Sequence, residues 1–529
     1  MKRGTRVGRR LMAAVLFGIA TIAAVRVGWA ADPNRLRPAG AAGSFYPADP
    51  KALTAMMDSL LAQAEPPVIH GSIMAVIAPH AGYPYSGPVA AYTYAALQGR
   101  HYARVVVIAP SHFEAFDFTS VYDGDGYVTP LGAVRVDKAF AQKVVSLDRS
   151  IRLSGRGHLP TRQGTEHALE VQLPWLQHVL GDFALVPIIM GDQSYESSRA
   201  LGVALAKLIH DGDTLIVASS DLSHYHPYND AVKLDHKTLH ALEEWDYFSM
   251  SQNFQAGVWE ACGGAPIVAA MIAAERMGAN EARLLHYANS GDTSGDRSRV
   301  VGYGAAALVK TADRHQTEQP FSLSSAEKKQ LLSIARTSVE YAVRQREPWP
   351  PPAVTGDALN QERGAFVTIR ESGELRGCVG YTSAANPLYI TVRDTATLAA
   401  LRDTRFQPIS ASELPRLDYE VSVLSPLRRV TDLRQIRIGE HGLLMKDGRF
   451  QGLLLPQVPV EARWDRTRFL EETCMKAGMR PKCWTDEQTD IFLFTAVVFS
   501  ENRPSVTPQS LYPGLPMRPA TPAPASLPQ

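Results

Sequence analysis

The strongest constraint on the fold is a set of continuous apolar runs, each of which ends in a loop that carries histidine. The runs cover residues 73–78, 105–109 and 215–218, and the histidines that follow them are His80, His112 and His224. Such runs are typical of strands that are buried on both faces of a largely parallel sheet. Ligands of these sheets bind beyond the carboxyl ends of the strands. We therefore expect three imidazoles, together with the carboxylate of Asp221 in the third loop, to converge on one metal-binding point.

Length, charge and cysteine spacing exclude several classes of protein. The chain has 529 residues, too many for one hydrophobic core, so at least two domains are expected. Its formal charge of +1 produces no overall field that would recruit nucleic acid. The cysteines Cys262, Cys378, Cys474 and Cys483 form no CxxC pair, no zinc-ribbon spacing and no triplet for an iron–sulfur cluster. In an oxidising compartment Cys474 and Cys483 are candidates for a disulfide, which spacing alone does not establish.

Residues 1–31 have the anatomy of a secretory signal. Basic residues are concentrated in 1–10, an apolar run covers 11–25, and small residues surround a cleavage site near Ala30. This pattern predicts export, to the periplasm of a bacterium. Two alternatives stay open. An uncleaved anchor would attach the protein to a membrane, and a start codon assigned too far upstream would leave it in the cytoplasm.

Strand and helix signals alternate along residues 34–312, which predicts an α/β sandwich around a central sheet. The helical patterns cover 48–62, 88–97, 166–180 and 197–209, and a further buried strand covers 183–190. Thr165 is expected to cap the third of these helices, which places Glu166 and His167 in its first turn. His101 and His158 lie in polar stretches and are expected to be solvated.

A polar segment, residues 313–324, separates this domain from a second one and is expected to link two independent cores. Ser324 and Glu327 form a capping box that opens a helix. The second domain covers 325–503 and is expected to be a smaller α+β unit. Residues 504–529 are rich in proline and almost uncharged, which predicts an extended, disordered tail.

An ordered series of short segments in the first domain resembles the Memo family. The segments are AGSFYP at 42–47, APHAGY at 78–83, PSH at 110–112, EHALEVQLP at 166–174, SSDLSH at 219–224 and CGGAP at 262–266. The resemblance implies a fold similar to that of the class III extradiol dioxygenases, which use non-haem iron(II). It also implies a site made of the residues His80, His112, Asp221, His224 and Cys262.

The chemistry of these residues agrees with a metal-dependent oxidoreductase. His80 and His112 suit neutral nitrogen ligands, and Cys262 would replace the carboxylate that extradiol enzymes use as the anionic ligand. Cys262 precedes a helical run, whose N-terminus favours its thiolate. A soft sulfur ligand favours iron(II) or copper, with zinc as an alternative. Asp221 and His224 suit an acid–base pair beside the metal.

The second domain resembles the AMMECR-type domain, most clearly in the segment LRGCVG at 375–380. Such domains recur with Memo-like and radical-SAM proteins in the AmmeMemoRadiSam system, so the chain resembles a fusion of its B and A components and a radical-SAM protein is an expected partner. Arg376 beside Gly377 suits an anion or cofactor site, and Cys378 suits a nucleophile or redox thiol. The alternative is a tight turn with a buried cysteine.

Three classes of function remain open. The first is a metal-dependent redox enzyme that acts on an unidentified small molecule. The second is a hydrolase or transferase in which Cys262 is the nucleophile, His224 the base and Asp221 the residue that orients the base. The third is a non-catalytic scaffold for a radical-SAM partner. Bound metal that is lost on changing His80 distinguishes the first class from the second.

Overall fold

The computed structural model describes residue 32 and residues 35–210, 212–312, 321–383 and 385–501. The predicted signal segment 1–31, most of the predicted linker and the predicted tail 504–529 lie outside the described residues. The described part is a mixed α/β protein in which an N-terminal domain contacts a smaller C-terminal domain.

The N-terminal domain alternates helices and strands, as its sequence predicts. Its helices are α1 (Pro50–Leu61), α2 (Tyr83–Ala95), α3 (Lys138–Val145), α4 (Gln172–Leu180), α5 (Tyr195–Leu208), α6 (Tyr228–Glu243), α7 (Tyr247–Gln255), α8 (Gly264–Arg276) and α9 (Ser290–Ser294). Its strands are β1 (Leu36–Arg37), β2 (Ser72–Ala78), β3 (Arg104–Pro110), β4 (Thr119–Val121), β5 (Gly126–Thr129), β6 (Gly132–Arg135), β7 (Ile151–Leu153), β8 (Ala184–Met190), β9 (Thr214–Ser219), β10 (His224–His226), β11 (Glu281–Asn289) and β12 (Val300–Lys310).

A nine-stranded sheet forms the centre of this domain, in the order β10-β12-β2-β9-β3-β8-β4-β7 with β11 also paired to β12. Its middle strands β2, β9, β3 and β8 are parallel to one another. These are the apolar runs of the sequence, and they are buried almost throughout because helices cover the sheet. The carboxyl ends of β2, β3 and β9 therefore lie at one edge, as predicted.

Two sequence predictions for this domain need correction. The helix expected over 166–180 begins only at Gln172. Before it, the Glu166 carboxylate accepts the backbone N–H groups of His167 and Ala168, both at 2.9 Å, which stabilises a turn in place of a first helical turn. His158, expected to be solvated, is fully buried. Its ring donates to the carbonyl of Ser120 and accepts the Tyr127 hydroxyl. Both ring nitrogens are therefore hydrogen-bonded within the protein interior instead of to water.

The C-terminal domain contains two four-stranded sheets, in the orders β14-β13-β15-β20 and β16-β19-β17-β18. Its strands are β13 (Ala365–Glu371), β14 (Glu374–Tyr381), β15 (Leu417–Leu424), β16 (Arg428–Arg429), β17 (Gly442–Asp447), β18 (Phe450–Leu454), β19 (Asp490–Phe494) and β20 (Ala496–Ser500). Its helices are α10 (Ser325–Gln345), α11 (Asp357–Asn360), α12 (Leu388–Leu401), α13 (Gln457–Glu461) and α14 (Arg466–Lys476). The predicted capping box of Ser324 and Glu327 is present at the start of α10.

The cores of the two domains are not fully separate, although the polar segment between them predicts that they are, and the C-terminal domain also has two apolar clusters of its own. The apolar core of the N-terminal domain continues into the sheet that contains β17 and β19. The ring of Phe492 lies 5.2 Å from that of Phe248 in α7. Beside these rings, buried Asp490 forms ion pairs with Arg199 of α5 and with Arg276 of α8. Aromatic side chains and paired charges on these helices thus provide a surface that the C-terminal domain covers.

Two further features are a covalent cross-link and the character of the helices. The structure joins Cys474 and Cys483 in a disulfide, with their Cα atoms 5.8 Å apart. Among the described residues, every helix is too short or too polar to cross a bilayer.

Candidate metal centre

The structure brings the predicted metal ligands together at the carboxyl edge of the central sheet. His80 and His112 follow β2 and β3, and Cys262 lies in the turn before α8. One ligand atom from each of these three residues lies within 4.8 Å of the other two. The closest pair is His80 Nε2 and Cys262 Sγ, at 3.0 Å. Two nitrogens and one sulfur therefore face a common point, although they come from distant parts of the chain.

A chain of hydrogen bonds determines which nitrogen of His80 is available. The Ser219 hydroxyl donates to the carbonyl of Ala168 at 2.6 Å and accepts the amide of Gln172 at 2.8 Å. The hydroxyl proton of Ser219 is therefore already donated to Ala168. In the 2.9 Å contact between Ser219 Oγ and His80 Nδ1, the imidazole N–H must then be the donor. Nδ1 then carries the proton, so Nε2 has a free lone pair towards Cys262.

Glu166 determines which ring nitrogen of His112 carries the proton. Its carboxylate accepts the backbone N–H of His112 at 2.6 Å and the Nδ1–H of the same residue at 2.9 Å. Burial opposes ionisation of Glu166, but the hydrogen bond and charge of His112 lower its pKa to about 2. The same contact overcomes burial and raises the pKa of His112. Nε2 of His112 is thereby left for a ligand, in the carboxylate–histidine arrangement that is common around protein-bound metals.

The protonation of the Cys262 thiol differs from the sequence prediction. Burial, and then the nearby Asp221 carboxylate, raise the pKa of the Cys262 thiol. The predicted thiolate is thus not favoured, because α8 begins two residues later and its N-terminus does not outweigh desolvation. Burial, and then His112, lower the pKa of His80. The thiol proton can therefore be donated to His80 Nε2, and a metal ion would displace that proton.

The close approach of Cys262 to the sheet depends on the glycine that follows it. A Cβ atom on Gly263 would lie 2.2 Å from the carbonyl oxygen of Ser219, at the end of β9. The Gly263 N–H also donates to the Ser220 hydroxyl at 2.9 Å. The CGGAP segment therefore contains a glycine where the backbone of one loop must touch another.

Asp221 holds the backbone of His80 and the side chain of Cys262 in place through hydrogen bonds. Its buried carboxylate accepts the backbone N–H of His80 at 2.7 Å and that of Ala81 at 3.3 Å. Its own N–H donates to Cys262 Sγ at 3.3 Å. These contacts position His80 and Cys262, and burial raises the pKa of Asp221. The acid–base role predicted for Asp221 and His224 stays a prediction.

An open cavity of about 690 Å³ lies in front of the centre. Cys262 and His224 both line it, together with Phe254, Trp259 and Glu260. The Glu260 carboxylate accepts the backbone N–H of His224 at 3.2 Å and lies 2.9 Å from His226 Nε2. A substrate of moderate size in this cavity would contact the predicted ligand Cys262 and the predicted base His224.

His167 is a residue of this site that the sequence interpretation missed. Its ring is stacked on Phe45, with centroids 4.1 Å apart, and on His112 at 5.0 Å. Burial, and then the neighbouring His80, lower its pKa to about 3. Its Nδ1 is buried and has no hydrogen-bond partner among the described residues. The adjacent residues Glu166 and His167 were the sequence signal for this part of the site. Because they were assigned to the first turn of a helix, His167 was not predicted to lie beside His80 and His112.

The second predicted site is arranged differently from the expectation. Arg376 is not free for an anion, because its guanidinium pairs with Glu413 at 2.7 Å and donates to the Gln407 carbonyl at 2.8 Å. Gly377 lies where a Cβ atom would be 2.3 Å from the carbonyl of Ala399, so it serves close packing on α12. Cys378 is half-buried and its thiol accepts the Thr368 hydroxyl at 3.3 Å. Arg376 and Gly377 thus serve pairing and packing, and the segment lies in strand β14 with a half-buried cysteine, so it does not form the tight turn of the alternative either.

Comparisons with known proteins agree with the resemblance in both domains. The family described as Memo-like protein matches residues 37–307, and the AMMECR1 family matches residues 332–499. A MEMO1 family protein of Methanopyrus kandleri is 36% identical over 279 residues, which are 50% of this chain and 95% of that protein. One from Aeropyrum pernix is 37% identical over 286 residues, or 52% of this chain and 100% of that protein.

Two solved structures of uncharacterized proteins are also similar to parts of the chain. One, from Pyrococcus horikoshii, is 38% identical, with 34% of this chain and 92% of that chain covered at a TM-score of 0.33. The other, from Escherichia coli K12, is 14% identical, with 44% of this chain and 99% of that chain covered at the same TM-score of 0.33.

Proposed function

Because the chain belongs to the Memo family and also carries an AMMECR1 domain, we propose that its N-terminal domain is a metal-dependent redox enzyme. We further propose that it is related to the non-haem iron extradiol dioxygenases and acts on a small molecule in the cavity before Cys262. The observation that carries the proposal is the convergence of His80, His112 and Cys262, with Nδ1 of both histidines already engaged.

The donor set fits a soft or borderline transition metal. Two neutral imidazole nitrogens and one cysteine sulfur suit iron(II) or copper, and zinc is the alternative. His80, His112 and Cys262 would hold such an ion, and three protein ligands would leave it able to bind a further group. Such an ion would supply electron transfer and binding positions for donor atoms of the substrate.

The chain's own residues have separate tasks in this proposal. Glu166 and Ser219 hold the tautomers of His112 and His80, and Asp221 holds the loop that carries His80. Phe254 and Trp259 line the cavity and would provide apolar surface for a substrate. His224, which lines the same cavity, would accept or return a substrate proton at its imidazole nitrogen.

Elemental analysis of the full chain purified without oxygen tests the metal. Alanine at His80, His112 or Cys262 should each abolish most of the bound metal, since each removes one of three protein ligands. His101→Ala is the matched control, because His101 is exposed. His224→Ala should keep the metal and lose turnover. Full occupancy in Cys262→Ala with none in His224→Ala would contradict the ligand assignment.

The 3.0 Å contact between Cys262 Sγ and His80 Nε2 also favours a second candidate function, a cysteine hydrolase or transferase. In that case His80, rather than the predicted His224, would be the base for the thiol. Iodoacetamide labelling of metal-free protein separates the two candidates. Rapid labelling of Cys262 near neutral pH that stops in His80→Gln would support the nucleophile, whereas slow labelling agrees with a thiol whose pKa is raised by burial.

We also propose that the protein is exported, which the disulfide between Cys474 and Cys483 supports because such bonds persist in oxidising compartments. Protein recovered from the native cell envelope should begin near Ala31 or Asp32. An intact Met1 on cytoplasmic protein would overturn this proposal. The radical-SAM partner stays a prediction.

A further inference from the structure

A second cavity, of about 250 Å³, lies where the two domains meet. Arg276, at the end of α8, contributes the side of the N-terminal domain. Arg429 of β16, Trp484 and Thr489 contribute the side of the C-terminal domain. The cavity is far too small for a large cofactor but has room for a small group and water.

Three residues around this cavity have buried hydrogen-bond donors without a partner among the described residues. They are Nε of Arg276, Nε1 of Trp484 and Oγ1 of Thr489. Buried polar groups are rarely left without a partner, because the loss of their hydrogen bonds to water is then uncompensated. Guanidinium and indole N–H groups can only donate. A group in the cavity that paired with these donors would therefore supply acceptor atoms.

The two positively charged side chains that line the cavity favour a negatively charged acceptor. Two guanidinium groups, from different domains, line the same small space. Burial, and then the charge of Arg429, lower the pKa of Arg276, so the two cations are close enough to repel each other. Each is already paired with one carboxylate, Arg276 with Asp490 at 3.0 Å and Arg429 with Glu275 at 2.7 Å.

The remaining carboxylates at the cavity do not exclude an anion. Glu487 is paired with Lys207 at 2.9 Å, and Asp486 is paired with Arg480. Asp490 is shared between Arg276 and Arg199. The negative charges that line the cavity are thus offset by cations that lie outside it or at its edge.

We propose that this cavity is a binding site for a small oxyanion, a phosphoryl or carboxylate group, held between Arg276 and Arg429. Trp484 and Thr489 supply neutral donors to the same group. Planar guanidinium groups match the paired oxygens of such anions. Because the two arginines belong to different domains, the anion binds the docked arrangement of the domains and stabilises it.

Calorimetric titration and thermal unfolding of the full chain test this site, with inorganic phosphate in one arm and sodium acetate in the other. Ionic strength is kept constant with sodium chloride. We expect saturable heat and a rise in unfolding temperature with at least one anion, and the more effective arm identifies the phosphoryl or the carboxylate group. Trp484→Phe and Thr489→Val should each weaken binding about tenfold, because each removes one donor from a charged acceptor.

These two variants lose no hydrogen bond among the described residues of the ligand-free protein, and each keeps an apolar side chain of similar shape, so folding should be preserved. Their matched controls are Trp245→Phe and Thr238→Val, which remove buried donors that also lack a partner among the described residues but lie away from this cavity. The controls should bind the anion as the unchanged chain does. The proposal fails if neither anion binds saturably above the chloride background, or if the control variants lose as much affinity as Trp484→Phe and Thr489→Val.

Discussion

At the scale of single residues, Glu166 decides how His112 can bind a metal. Its carboxylate fixes the Nδ1–H of His112 and also accepts three backbone N–H groups, so the ring orientation and the local turn depend on one side chain. We expect Glu166→Gln to lower metal affinity by about 10- to 100-fold, because a neutral amide is a weaker acceptor for the Nδ1–H group. Competition with a chromogenic chelator measures this, with exposed Glu65→Gln as the control. Equal affinities in both variants would contradict the role of Glu166.

A second residue-scale prediction concerns acid. Burial lowers the pKa of His158 to about 3, from its ordinary value of 6.5. Between these two values the unfolded chain binds a proton that the folded chain does not, so the stability contributed by neutral His158 falls as pH decreases below about 6.5. We expect the free energy of unfolding of His158→Gln to depend less steeply on pH in this window, by up to about 1.4 kcal/mol per pH unit.

Denaturation at several pH values between 7 and 5 checks this expectation, with exposed His101→Gln as the control. His158→Gln should be less stable at pH 7, because the contacts of the ring with Ser120 and Tyr127 are lost. Identical pH dependence in His158→Gln and the unchanged chain would show that another group controls the acid response.

At the scale of elements, the turn into α8 controls the distance between Cys262 and the end of β9. A side chain on Gly263 would collide with the backbone carbonyl of Ser219. The hydroxyl of the same Ser219 also determines the tautomer of His80. We expect Gly263→Ala to move Cys262 away from His80 and to reduce bound metal severalfold, with a loss of stability of about 1–3 kcal/mol. Gly212→Ala is the control, because that position has open space around it. Unchanged metal content in Gly263→Ala would show that the loop can move without cost.

At the scale of the whole molecule, Asp490 connects the domains. It is buried, and three groups of the N-terminal domain donate to it: the side chains of Tyr195, Arg199 and Arg276. Neutralising a buried carboxylate that serves two arginines should cost about 3 kcal/mol, because the cations are left without full compensation. We therefore expect Asp490→Asn to weaken the attachment of the domains without unfolding either one.

Introducing a specific protease site between residues 312 and 321 makes the attachment measurable. After cleavage, the two pieces of the otherwise unchanged chain should elute together from a gel-filtration column, because apolar contacts such as Phe248–Phe492 also hold them. The pieces of Asp490→Asn should separate more readily on dilution. Spontaneous separation of the otherwise unchanged pieces would mean that the two cores are independent, as the sequence alone predicts.

Local sequence patterns were sufficient to predict the parallel strands, the edge at which His80 and His112 emerge, the capping box at Ser324 and the family of the chain. These features depend on patterns within a few neighbouring residues. The folded chain was needed to show that Glu166 orients His112 and that Arg376 is paired with Glu413. It was also needed to show that Phe492 and Asp490 attach one domain to the other. These outcomes depend on contacts between segments distant in the chain, where packing and desolvation select one partner among several that local patterns leave equivalent.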